Sequence, residues 1–157
     1  MTHLLISLTV SLSLAMTVVA QTRTAPATPE KIPNDWKLFQ ASTNFSFWGP
    51  PDLKEENVRG IDSYVGQFVS PKMTLTFDYG MYSNPLNDPK YKREATTVDG
   101  KDAFLVRWDG GVGLYVPRVT ADGTIRLQMS IACDKETAEQ GLLLLKSIKF
   151  AVPPRAR

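Results

Sequence analysis

The 157-residue chain carries 18 Lys and Arg against 16 Asp and Glu, with the two signs interspersed rather than gathered into a stripe or a tail. That balance speaks against nucleic acid as a partner. One histidine and one cysteine in the whole chain leave no internal disulfide and no zinc site of the usual His and Cys spacing.

Leu4 to Val19 is apolar apart from Ser and Thr, and Val18-Val19-Ala20 puts small side chains where signal peptidase reads them. This predicts a secretory signal peptide over residues 1–20, cut before Gln21. The segment Met1-Thr2-His3 lacks Lys and Arg, so an uncleaved N-terminal anchor is the alternative. The run is nonetheless shorter than the roughly 20 predominantly apolar residues that a spanning helix needs. Gln21 stands where a lipoprotein would have cysteine. On this reading the protein is exported, periplasmic or extracellular, with no stable membrane span after cleavage. His3, the only histidine, leaves with the leader.

Residues 21–34 are rich in Pro, Thr and Ala and read as a flexible spacer. A single folded domain is expected over 35–150, followed by a loose basic tail at 151–157. Trp36 to Gln40 reads as a short first strand, and Phe45 and Phe47 mark a second. Leu53 to Gly60 fits either a short helix or a loop. Tyr64 to Val69 and Met73 to Tyr79 read as strands joined by Ser70-Pro71-Lys72, the second with strict alternation of Met73, Leu75, Phe77 and Tyr79 against Thr74, Thr76 and Asp78. Met81 to Lys92, with Pro85 and Pro89, is the longest irregular stretch. Asp99-Gly100 predicts a tight hairpin between Ala95–Val98 and Ala103–Val106. Asp109-Gly110-Gly111 leads into Val112–Val116, and Asp122-Gly123 into the alternating strand Ile125 to Ile131. Asp134 is then expected to cap a helix of about twelve residues, with Ala138, Leu142 and Leu145 on its apolar face. Ile148-Lys149-Phe150 reads as a last short strand. The pattern describes an α+β domain, an antiparallel sheet with a C-terminal helix packed on it.

Three segments together resemble the PsbP-like family, the fold of an extrinsic photosystem II subunit and of a Ran-GTPase release factor. They are Asn44-Phe45-Ser46-Phe47-Trp48-Gly49-Pro50-Pro51, the hairpin from Thr97 to Val106, and the terminal helix with Leu145-Lys146-Ser147-Ile148-Lys149-Phe150. The resemblance implies an α-β-α sandwich and an exported, non-catalytic accessory or adaptor protein. It carries no functional residue over, because the shared motifs are structural. The lipid-acceptor cysteine of the lipoprotein members is missing here.

Little of the chain offers catalytic chemistry. Cys133 ends an apolar strand and reads as a buried, inert thiol, since nucleophilic cysteine wants a neighbouring base. An intermolecular disulfide is its other use. Asp52, Glu55, Glu56 and Asp62 gather around Arg59 as a charged surface loop; a carboxylate hydrolase would need two acids across a cleft, one with a raised pKa. Asp99-Gly100-Lys101-Asp102 has too few acids for a calcium loop, and Gly110-Gly111-Val112-Gly113 lacks the ending of a phosphate loop. No cofactor and no metal are expected. The aromatic residues Trp36, Trp48, Tyr64, Tyr79, Tyr82, Tyr91, Trp108 and Tyr115 remain, able to fill a core or to form a contact surface. Trp48, Tyr79, Tyr82 and Tyr91 are the candidates for contact with a ligand or partner. A protein partner in the exported compartment is the leading expectation. A glycan- or peptide-binding module is the second, and a carboxylate hydrolase the third. Asn44-Phe45-Ser46 is a glycosylation sequon whose use depends on the source.

Overall fold

The computed structural model describes residues 31–151. The leader, most of the spacer and the end of the tail lie outside the described residues. In chain order the elements are β1 (Lys37–Phe39), β2 (Phe45–Gly49), β3 (Lys54–Glu56), β4 (Tyr64–Val69), β5 (Met73–Gly80), β6 (Lys92–Val98), β7 (Lys101–Trp108), β8 (Gly111–Val116), β9 (Arg126–Cys133), α1 (Ala138–Lys146) and β10 (Lys149–Phe150). They form a seven-stranded antiparallel sheet ordered β3-β4-β5-β9-β8-β7-β6 and a three-stranded sheet ordered β1-β2-β10.

Two meanders build the large sheet. β3–β5 and β6–β9 each run strand to neighbouring strand, and they join where β5 pairs with β9, from Met73 opposite Cys133 to Gly80 opposite Arg126. Because β6 begins at the far edge, the connection from β5 must cross the outer face of β9, β8 and β7. The stretch from Met81 to Tyr91 makes that crossing. Leu86 anchors it, buried in a small cluster with Val106 and Tyr115 against which Tyr91, Phe104 and Trp108 pack. The buried Ser83 hydroxyl fastens its start, within bonding distance of the carbonyl oxygens of Asp78 at 2.9 Å and Gly80 at 3.1 Å.

Period-two alternation decides the inner face. Met73, Leu75 and Phe77 of β5, Leu127, Met129 and Ile131 of β9, and Val112, Leu114 and Val116 of β8 all point to one side and are buried. Leu142, Leu144 and Leu145 of α1 and Phe45 and Phe47 of β2 cover them. Phe45 meets Phe77 edge-on at 5.1 Å, and Phe47 meets Phe68 edge-on at 5.2 Å, so the small sheet continues the layer that α1 begins. The Asp99-Gly100 turn is of the mirror-image hairpin type, with φ of +48° and +75° at its two central residues. Asp99 also accepts from the Phe150 N–H at 2.8 Å and from Lys149 Nζ at 2.9 Å, tying β10 to the hairpin.

Three expectations change. Leu53 to Gly60 is neither a helix nor wholly loop: Lys54–Glu56 adds to the edge of β4 as β3. The helix is shorter than the apolar spacing implies, nine residues, because the Asp134 carboxylate bonds the Thr137 N–H at 2.8 Å and holds Lys135–Thr137 as a turn before the helix begins. Among the described residues α1 is the only helix, so the outer face carries the Met81–Tyr91 crossing where an α-β-α sandwich has a second helical layer. The result is mainly antiparallel β-structure with one short C-terminal helix. No described helix is long and apolar enough to cross a membrane.

Candidate functional site

The four candidate aromatics occupy four different environments. Tyr79 lies on the inner face of β5, half-buried and stacked on Phe45 at 5.8 Å, and burial pushes its phenol pKa up. Tyr91 closes the outer crossing and tilts against Trp108 at 5.4 Å. Trp48 stands on the solvent side of β2, 37% exposed, directly opposite Leu38 of β1, itself 53% exposed. Tyr82 sits just beyond β5 and is 73% exposed. No single site gathers them.

Tyr82 does have neighbours. β4 starts where β5 ends: Tyr64 is in register with Tyr79, and Ser63 lies so close to Gly80 that a Cβ there would be 2.5 Å from the Ser63 hydroxyl. The β3–β4 loop and the start of the outer crossing therefore converge at one end of the large sheet. Ile61, Tyr64, Met81 and Tyr82 are all exposed there, and Ile61 is fully in solvent. The Tyr64 hydroxyl donates to the Ala41 carbonyl at 2.9 Å, and its ring lies 5.6 Å from Phe77, so this part of the surface is fixed on the core. Exposed apolar side chains carried to one end of a sheet are a common mark of an interaction site, whereas residues scattered singly mean little. Ile61 and Met81 escaped the sequence reading. The only signal was a lone large apolar residue in an otherwise polar loop, Arg59-Gly60-Ile61-Asp62-Ser63.

A second candidate is a cleft of about 460 Å³ where the β7–β8 turn faces the start of α1. Arg107, Trp108, Gly110, Cys133, Asp134 and Lys135 are among its walls. The Trp108 ring lies flat enough over β8 that a Cβ on Gly111 would come within 2.5 Å of it. Cys133 is a poor nucleophile in this setting, because burial pushes its pKa up and the Asp134 charge adds to the effect. Arg107 Nη1 bonds Glu139 Oε1 at 2.8 Å across the mouth.

The acids of the Asp52–Asp62 region are exposed, with Glu55 and Glu56 on β3 and Asp52 and Asp62 in the flanking turns. Ser83 Oγ lies 3.2 Å from Asp78 Oδ1, but it is buried among backbone carbonyls and serves the crossing. Among the described residues no three His, Cys, Asp or Glu side chains converge to hold a metal ion. Asn44 of the sequon is exposed at the entry to β2. The chain matches no protein-family model and no curated protein.

Proposed function

We propose that this protein is an exported, non-catalytic adaptor that docks on another exported protein through the end of the sheet where β4 begins and β5 ends. The observation that carries the reading is the exposure of Ile61, Tyr64, Met81 and Tyr82 at one end of the sheet, Tyr64 at the start of β4 and the other three on the adjoining loops. Aromatic and methionine side chains bring large apolar area to such contacts. Kinship with the PsbP-like fold is part of the proposal, supported by the antiparallel sheet with its C-terminal helix against one face, although the second helical layer of that sandwich has no counterpart among the described residues.

The test is recovery from the native host. Tagged protein is mildly cross-linked in the exported fraction, isolated and analysed by mass spectrometry beside an Ile61→Asp/Tyr82→Asp variant. One or two companions at near-equal amounts, lost with the variant, support the reading. An absence of companions, or companions indifferent to the variant, overturns it.

A glycan- or peptide-binding module is the second reading, favoured by the Tyr91–Trp108 pair beside the cleft at the β7–β8 turn. Quenching or enhancement of Trp108 fluorescence by oligosaccharides, abolished in Trp108→Phe, would promote it. A carboxylate hydrolase draws no support from the acids whose pKa departs from the ordinary range. Asp88, Asp99, Asp122 and Asp134 all move down, opposite to the direction a general acid needs.

A further inference from the structure

We infer that the free edge of β6 pairs with the same strand of a second copy of this chain, joining two large sheets into one across a two-fold axis at Ala95. β6 is the outermost strand, paired with β7 on one side and with no strand on the other among the described residues. It runs seven residues, in unbroken register from Lys92 opposite Arg107 to Val98 opposite Lys101, whereas the opposite edge, β3, runs three. The turn fixes which backbone groups are free. A two-residue turn with positive φ at both positions closes on a pair that exchanges both backbone hydrogen bonds, here Val98 and Lys101. Bonded pairs alternate along an antiparallel ladder, so Lys92, Glu94 and Thr96 also bond β7, and Arg93, Ala95 and Thr97 turn their N–H and C=O groups to the open side. Such groups are a template for another strand.

The side chains favour a second copy over a charged segment of another protein. Lys92 and Glu94 have opposite signs on the inner face, so the edge selects neither an acidic nor a basic strand. The Arg93 guanidinium lies over the Phe104 ring at 3.8 Å, away from the edge, and leaves its own backbone clear. In an antiparallel pair facing residues share one side of the sheet, so a two-fold axis must pass where one residue faces its own copy. With the axis at Ala95 every free group is used: Arg93 faces Thr97, Ala95 faces Ala95, and Thr97 faces Arg93. Glu94 then faces Thr96 and Lys92 faces Val98, so no like charges stand opposite one another. Neighbouring axes fail. At Arg93, the Ala95 groups would face Tyr91, whose N–H already donates to the Asp88 carbonyl at 3.0 Å. At Glu94, that carboxylate would face itself. At Thr96 or Thr97, the strand would run into Asp99 of the turn, whose φ is +48°. Sheet edges are commonly guarded by charge, proline or a bulge. β6 has neither proline nor bulge, and the Ala95 register sets Lys92, Arg93 and Glu94 each against a neutral residue. The Ile61–Tyr82 ends lie towards the opposite edge of each sheet, so the dimer carries both of them free.

A single strand pair makes a small interface and a weak dimer, so the test is sedimentation equilibrium of the purified protein from about 1 µM to about 1 mM. The mass should rise from monomer towards dimer across that range. Ala95→Pro removes an N–H that β7 does not use, so the fold should survive, as circular dichroism checks, while association weakens about tenfold or more. Ala95→Cys in a Cys133→Ser background should form an interchain disulfide under mild oxidation, because facing bonded residues have Cα atoms about 5.5 Å apart, within the disulfide range. Thr97→Cys in the same background faces Arg93 of the second copy and should not. Ile61→Asp/Tyr82→Asp should leave the dimer intact, which separates this edge from the proposed adaptor surface. A protein that stays monomeric throughout the range would overturn the inference. So would a dimer indifferent to Ala95→Pro, a dimer lost with Ile61→Asp/Tyr82→Asp, or equal cross-linking of the two cysteine variants.

Discussion

Ser147 joins the two parts of the inner layer through one hydroxyl. Its Oγ accepts the Trp48 backbone N–H at 2.9 Å and lies 2.6 Å from the Leu144 carbonyl, to which it donates. The first bond spans from the end of α1 to β2; the second stays within the helix terminus. Ser147→Ala removes both while leaving the Ser147 backbone N–H on the Leu143 and Leu144 carbonyls, so the cap of α1 survives. The Trp48 N–H then has no partner in a half-buried seam. An orphaned buried donor costs about 1–3 kcal/mol. At about 4 °C per kcal/mol for a domain of this size, Tm should fall by roughly 4–12 °C. Thermal unfolding followed by circular dichroism measures it, and urea unfolding should give a lower midpoint with an unchanged slope. Ser42→Ala is the control: it removes a hydroxyl that accepts the Asn44 N–H at an exposed turn, and should cost less than about 0.5 kcal/mol. A fall in Tm below about 2 °C for Ser147→Ala would refute the reasoning, because it would mean that water reaches the Trp48 N–H.

Phe45→Ala should cost about 3–5 kcal/mol in urea unfolding, since the ring is fully buried between Phe77 and Tyr79; a loss under 2 kcal/mol would show that the two layers close over the gap. Asp99 has a lowered pKa: partial burial works to raise it, but bonds from Lys149 and the Phe150 N–H outweigh that. A carboxylate depressed in the folded state stabilises above its ordinary value of 3.8, and that contribution is lost as pH falls through the folded value. Asp99→Asn should therefore flatten the acid limb of a stability–pH profile below about pH 4, and an unchanged limb would contradict the assignment. Cys133 is half-buried rather than buried, and with its pKa raised it should react with an aromatic disulfide reagent more slowly than a free thiol at pH 8, the rate climbing at higher pH; a fast reaction at neutral pH would contradict the raised pKa.

Most strands were legible because their information is local. In β5 and β9 every second residue is large and apolar, and that alternation makes a strand wherever the segment comes to lie. The Asp99-Gly100 hairpin was legible for the same reason: positive φ at two successive positions is a local demand that this dipeptide meets. The start of α1 was misplaced because Asp134 can cap a helix or close a turn, and only its geometry to Thr137 decides. β3 was missed because Lys54-Glu55-Glu56 has no apolar alternation at all; it is a strand only because β4 offers an edge. Of the candidate surface, Tyr64 and Tyr82 were visible as aromatics. Ile61 and Met81 were not, because nothing in a sequence says that residues twenty apart will share one end of a sheet.

By itself the sequence determined the alternating strands, the tight turns, the single amphipathic helix and the scarcity of histidine and cysteine. The tertiary structure alone decided that β5 pairs with β9, that the Met81–Tyr91 segment consequently crosses the outer face, and that β6 is left at the edge of the large sheet. The physical reason is range. Backbone preference and side-chain alternation act over a few residues, whereas strand order is chosen by burial shared between segments tens of residues apart, and both candidate binding surfaces are products of that order.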